Sequence, residues 1–85
     1  MTPRIVAKAR LQWDGVRNRH MLLYPEGVVA LNPTAAEILG LCDGRRTVDD
    51  IVTMLRNKYV SQDITADVQE LLAGLAAKGL VSYDA

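Results

Sequence analysis

The apolar residues of this chain change their spacing at Asn32-Pro33, and that switch constrains the fold more than any other feature. Up to Leu31 they fall in short runs that suit β-strands. Beyond Pro33 they recur every three to four residues, the period of a helix face. Strands followed by helices in one chain of 85 residues predict a single α+β domain with one small core.

Three strands are expected. Ala9–Asp14 is the weakest, with Leu11 and Trp13 on one face and Arg10 and Gln12 on the other. Gly15 to Asn18 reads as a turn. His20–Tyr24 follows, apolar on both faces beyond its histidine. Pro25-Glu26-Gly27 reads as a tight connection in which Gly27 takes the left-handed residue of a bulged hairpin. Val28–Leu31 is the return strand, all apolar and half β-branched. The result is a three-stranded antiparallel meander, or a two-stranded hairpin with the first strand loosely attached. Residues 1–8 show no pattern and read as a flexible lead-in.

Three helices are expected after the switch. The first is capped by Asn32 with Pro33 at its first position, or by Thr34 with Glu37 closing a capping box. Its stripe is Ala35, Ile38, Leu39 and Cys42, and Asp43-Gly44 reads as its stop. Arg45-Arg46 forms a basic loop. Thr47 opens the second helix with Asp49 and Asp50 in its first turn. Val48, Ile51, Val52, Leu55 and Tyr59 form its buried face. Ser61–Asp63 is a linker. The third helix starts near Ile64 or Thr65, buries Ile64, Val68, Leu71, Leu72 and Leu75, and ends at Gly79. Leu80, Val81 and Tyr83 suggest a last extended piece. A meander beside a helix-turn-helix pair is a winged-helix-like arrangement.

Composition excludes several functions. A single cysteine cannot form an internal disulfide, and one histidine with one cysteine offers no metal-ligand spacing. No phosphate-binding glycine loop or nucleophile elbow is present. No cofactor is expected, and a binding module fits better than an enzyme. No apolar run approaches the length of a membrane span, and the first residues lack the apolar core of a signal peptide, so the expected compartment is the cytoplasm.

The net charge of zero hides an asymmetry. Seven basic and four acidic residues lie between Met1 and Arg46, and three basic and six acidic residues follow. A winged-helix DNA reader would set its third helix against phosphates. Here Asp63, Asp67 and Glu70 stand at the start of that helix, which weighs against the alternative of a DNA-binding protein.

The segments Arg10-Leu11-Gln12-Trp13-Asp14, Arg17, Leu22-Leu23-Tyr24-Pro25-Glu26-Gly27 and Leu31-Asn32 resemble the PqqD family of pyrroloquinoline quinone biosynthesis. So do Ala35-Ala36-Glu37-Ile38-Leu39, Cys42-Asp43-Gly44, Asp67-Val68 and Lys78-Gly79-Leu80. The resemblance implies a peptide chaperone without catalytic activity. Such a protein binds the ribosomal precursor peptide PqqA and presents it to PqqE, a radical S-adenosylmethionine enzyme that links a Glu and a Tyr side chain of the peptide. It also implies that the leader peptide adds a strand to the third strand of the meander and lies against the third helix.

The residues suit that mode. Val28, Val29, Ala30 and Leu31 offer a short apolar strand whose edge supplies backbone hydrogen bonds. Asp67, Leu71, Gly74 and Lys78 recur along the third helix beside its core stripe, and Gly74 leaves room for a peptide backbone. Contacts to PqqE are expected from Trp13, Arg17, Arg45 and Arg46. Blander readings stand beside these. Val28–Leu31 also fits an ordinary buried strand, Trp13 a core anchor, Cys42 a small core residue and His20 a structural strand residue. Asp14 and Arg17 also suit a pair across their turn. An exposed strand edge invites self-pairing, so a monomer in solution that forms an intertwined dimer in a crystal is expected.

Overall fold

The structure is a computed structural model that describes residues 1–60 and 62–84. Ser61, the first residue of the expected linker, and Ala85, the last of the expected domain, lie outside the described residues. The element order is β1 (Thr2–Ile5), β2 (Arg10–Asp14), β3 (Arg19–Tyr24), β4 (Gly27–Leu31), α1 (Pro33–Gly40), α2 (Val48–Arg56), α3 (Ile64–Ala77) and β5 (Val81–Asp84). The α+β architecture, with an antiparallel sheet ahead of three helices, is as expected.

The main sheet is the meander β2-β3-β4. Its register sets Leu11 against Leu22 and Leu22 against Val29, so these three form one row. They share a face because strand side chains alternate. The next row on that face is Trp13, His20 and Leu31. Only Pro25 and Glu26 separate β3 from β4, and Tyr24 pairs directly with Gly27. The expected bulge does not form: Gly27 has no positive φ, because the two-residue connection leaves no extra residue for a left-handed position.

The first eight residues correct the expectation of a flexible lead-in. Thr2–Ile5 pairs with Val81–Asp84 as a second, two-stranded antiparallel sheet. Arg4 also bridges to Asp43, and the Gly44 N–H donates to the Pro3 carbonyl at 3.1 Å. Both edges of β1 are thereby engaged, and Pro3, which has no N–H to offer, is buried between them. The expected extended piece near Val81 is β5.

Asn32 caps α1, its side chain accepting from the Ala35 N–H at 2.7 Å, with Pro33 at the first position. The Thr34–Glu37 capping box does not form, and Glu37 is used elsewhere. α1 ends at Gly40 rather than at Asp43-Gly44, because those two residues are committed to β1. Cys42 stays in the core, its thiol donating to the Ile38 carbonyl at 3.2 Å. Burial and the neighbouring Asp43 charge push that thiol's pKa up to about 11, which makes it a poor nucleophile. Thr47 and Asp50 form a reciprocal capping box on α2. Asp63 caps α3, and Leu80 and Gly79 donate to the Leu75 and Ala76 carbonyls at its end, with Gly79 at φ +74°. This Schellman turn satisfies the last carbonyls and drops Leu80 into the core.

Leu22, Ile38, Leu39, Ile51, Val68, Leu72 and Leu80 are almost wholly enclosed. Each gains about 1.5–3 kcal/mol by leaving water. The three helices thus share one core with the inner face of the meander.

Candidate functional site

The outer edge of β4 is unpaired: β3 lies on one side of it, and no strand lies on the other among the described residues. Its side chains alternate. Leu31 is buried and Val29 half-buried, while Val28 (54% exposed) and Ala30 face outward. β4 is therefore anchored by one face while its edge keeps free donors and acceptors, which an added strand would satisfy.

Where β4 ends, a groove of about 270 Å³ runs between α1 and the first half of α3. Asn32, Thr34, Ala35 and Ile38 line one side, and Asp67, Glu70 and Leu71 the other, with Gln62 at the end. Gln62 donates to the Asp67 carboxylate at 3.4 Å. Of the four residues expected on α3, Asp67 and Leu71 line this groove. Gly74 and Lys78 are exposed and lie outside it. A side chain at Gly74 would meet nothing within 4 Å, so packing within the chain does not require glycine there.

Sequence reasoning missed Asn32, Thr34, Gln62 and Glu70 as wall residues and took Ala35 and Ile38 only for core. Their signal was the Pro33 start. It fixes the helical register and sets Ala35 and Ile38 three apart on one face.

A second hollow, of about 460 Å³, opens along the Trp13–His20–Leu31 row. Trp13 is half exposed, so it is not the core anchor of the bland reading, and its ring meets His20 edge-on at 4.9 Å. Pro33, Ala36 and Glu37 close the hollow from α1. The Glu37 carboxylate accepts from Lys58 Nζ and from the Tyr59 hydroxyl, each at 2.6 Å. Those two bonds hold its pKa below the usual carboxylate value, and they raise the pKa values of Lys58 and Tyr59 in turn. They tie α1 to the end of α2.

The remaining candidates sit on turns. Asp14 is buried and accepts from the Val16 and Arg17 N–H groups at 3.0 and 3.2 Å and from Arg17 Nη1 at 3.3 Å. The pair across the turn forms. The Arg17 N–H, foremost, lowers the Asp14 pKa against the opposing effect of burial. Asp43 accepts from the Arg45 N–H at 2.9 Å and pairs with Arg46 at 2.8 Å. None of the hydrogen bonds, ion pairs or ring contacts among the described residues joins Trp13 and Arg17 to Arg45 and Arg46. No group of three potential metal ligands comes together among the described residues, and none of their helices is long and apolar enough to cross a membrane.

Known proteins share this arrangement. The family described as coenzyme PQQ synthesis protein D (PqqD) matches residues 19–81. A PqqA binding protein of Methylococcus capsulatus is 43% identical over 72 residues, covering 85% of this chain and 77% of its own length. One of Azotobacter vinelandii is 46% identical over 71 residues, covering 82% and 77%. The solution structure of the PqqD truncation of Methylobacterium extorquens PqqCD is described as a functional, stand-alone recognition element for ribosomally synthesized and modified peptides. It matches at a TM-score of 0.80 with 41% identity, covering 94% of this chain and 87% of that one. TbiB1, solved in complex with the TbiA(beta) leader peptide, has the same fold at a TM-score of 0.76 and 22% identity, with 96% and 98% covered. With residues 19–81 matched by the family, relatives above 40% identical and the fold shared with the PqqD truncation, this chain belongs to the PqqD family.

Proposed function

We propose that this protein binds the precursor peptide PqqA by strand addition to β4 and presents it to PqqE, the radical S-adenosylmethionine enzyme. The role is binding, not catalysis. The observation that carries the reading is the open β4 edge, anchored by Val29 and Leu31 and followed directly by Asn32, which lines the groove bounded by Asp67 and Leu71. The relatives named for PqqA binding and the leader-peptide complex of a protein with the same fold support it. Backbone pairing along Val28–Leu31 supplies affinity, and the groove selects side chains. Gly74 and Lys78 extend the peptide's track along α3, and glycine there lets a backbone approach. Presentation to PqqE uses a surface apart from the groove, for which Trp13, Arg17, Arg45 and Arg46 are the candidates. The protein acts as a cytoplasmic monomer.

The test is a titration of ¹⁵N-labelled protein with synthetic PqqA, followed by addition of PqqE. Amide shifts concentrated at 28–31 and 67–78 are expected. Saturable binding with shifts elsewhere discards the site, and no shift at all discards PqqA binding. PqqE should broaden the spectrum of the peptide complex, and an unchanged spectrum removes the presentation step.

A further inference from the structure

We propose that the hollow beside Trp13 is a second recognition site, which receives a protein partner that inserts one large apolar side chain and sets a flanking carboxylate against Arg19. This gives a location and a chemistry to the presentation half of the reading above, and rests on that reading only for the partner's role.

The argument starts from the sheet. The row Trp13–His20–Leu31 continues the core row Leu11–Leu22–Val29, but the helices do not cover it fully. α1 begins at Pro33, one cap residue after Leu31, so only its first turns, through Pro33 and Ala36, reach over this end. An apolar socket of about 460 Å³ is left open, large enough for one bulky side chain. Trp13 is held at its rim by the His20 ring and is 50% exposed. Val16, at the tip of the same hairpin, is 93% exposed. A half-exposed tryptophan over an apolar socket is the composition of an interface anchor.

Charge decides what kind of partner fits. At the hairpin end beside the socket stand Arg17 and Arg19 against one acid, Asp14, which is buried and already paired with Arg17; Arg10 lies at the far end, opposite Leu23. Arg19 lines the socket and takes part in none of the ion pairs among the described residues. Glu37, the acid in the socket wall, is neutralised by Lys58. The rim therefore presents a net positive face, whose complement is a carboxylate.

The socket is separate from the peptide groove. At 100° per residue, Pro33, Ala36 and Glu37 lie on the opposite side of α1 from Thr34, Ala35 and Ile38, which line the groove. Both sites can be filled at once.

Trp13 is the only tryptophan in the chain, so its indole N–H gives one resonance that reports on the socket. The probes are two capped tripeptides, acetyl-Glu-Phe-Glu-amide and acetyl-Lys-Phe-Lys-amide, titrated into the ¹⁵N-labelled full chain, with PqqA titrated separately. The acidic peptide should move the indole resonance saturably, and the basic one should bind about tenfold more weakly. Arg19→Glu should invert that preference, with its amide spectrum confirming the fold. PqqA should leave the indole resonance in place. An indole resonance unmoved by the acidic peptide, equal response to both peptides, or an unchanged preference in Arg19→Glu each overturns the proposal. Movement with PqqA assigns the socket to the peptide site and overturns it as well. Failure of PqqA or PqqE to bind in the earlier titration leaves these tripeptide outcomes readable.

Discussion

Two segments of this protein share the sequence Asp-Gly-x-Arg, and the structure gives them the same side-chain clasp but different backbones and surroundings. In Asp14-Gly15-Val16-Arg17 and in Asp43-Gly44-Arg45-Arg46, the aspartate accepts the N–H two residues on and pairs with the arginine three residues on. This is a self-contained electrostatic clasp that needs no other part of the chain. The first clasp ends a hairpin whose tip points into solvent. The second is bound to β1, through the Arg4–Asp43 bridge and the hydrogen bond from Gly44 to Pro3. Only the second forces its glycine to φ +79°. The pattern thus specifies the clasp, and the tertiary setting decides the glycine's backbone and whether glycine is indispensable. One turn closes the fold; the other stands in solvent.

The largest effect is expected at Gly44. Alanine there would hold a left-handed backbone at a cost of about 1–2 kcal/mol. Its Cβ would also stand 3.0 Å from Asp84 Oδ2, disturbing the exposed Arg4–Asp84 pair. Gly44→Ala should lower the midpoint of thermal unfolding by about 4–8 °C for each kcal/mol, measured by circular dichroism. A wild-type midpoint would mean that β1 does not constrain the second clasp.

Acid should separate the clasps next. The Arg17 N–H and, at the second clasp, the Arg45 N–H each hold an aspartate pKa below its ordinary value. A carboxylate depressed in the folded state stabilises above its unfolded pKa, about 3.9 for Asp, and that contribution is lost as pH falls through the folded value. Urea unfolding should therefore show stability level from pH 7 to about pH 5 and declining below that. Asp14→Asn keeps the shape but cannot titrate, so it should flatten the decline. Asp43→Asn should flatten it less, because Asp43 is more exposed and accepts one neighbouring N–H rather than two. Equal slopes would erase the distinction between the two turns. Glu37 adds to the same acid loss, and its bonds weaken at the alkaline end as Lys58 and Tyr59 deprotonate through their raised values.

The contrast also explains what the residues alone could reveal. Features set by neighbours in sequence were legible: the Asn32–Pro33 start, the Thr47 cap, the Gly79 stop and the return strand at Val28–Leu31. Features set by distant partners were not. Thr2 pairs with Asp84 across nearly the whole chain, and Pro3 argues locally against a strand. The true end of α1 was hidden for the same reason, since Asp43-Gly44 reads as a helix stop until β1 is placed beside it. At the site, β4 was readable as a strand, but its apolar run also fitted an ordinary buried strand, and its open edge was expected from the family resemblance. The groove walls were not, because Thr34 and Glu70 meet only after α1 and α3 pack.

The smallest effect is expected at Gly15, where the comparison is most exposed to failure. Its φ is not positive, and an added Cβ would come no closer than 3.9 Å to Trp13 Nε1, an ordinary contact distance. Gly15→Ala should leave stability within about 0.5 kcal/mol of wild type. It should nonetheless perturb the emission of Trp13, the single tryptophan, because the new methyl group sits beside the indole nitrogen. A loss as large as that of Gly44→Ala would show that the Asp-Gly-x-Arg clasp itself demands glycine. The tertiary bond to Pro3 would then no longer account for the difference between the two turns. A neutral result with altered emission would instead mark this hairpin end as a surface that tolerates change without cost to the fold, as a partner-facing surface must.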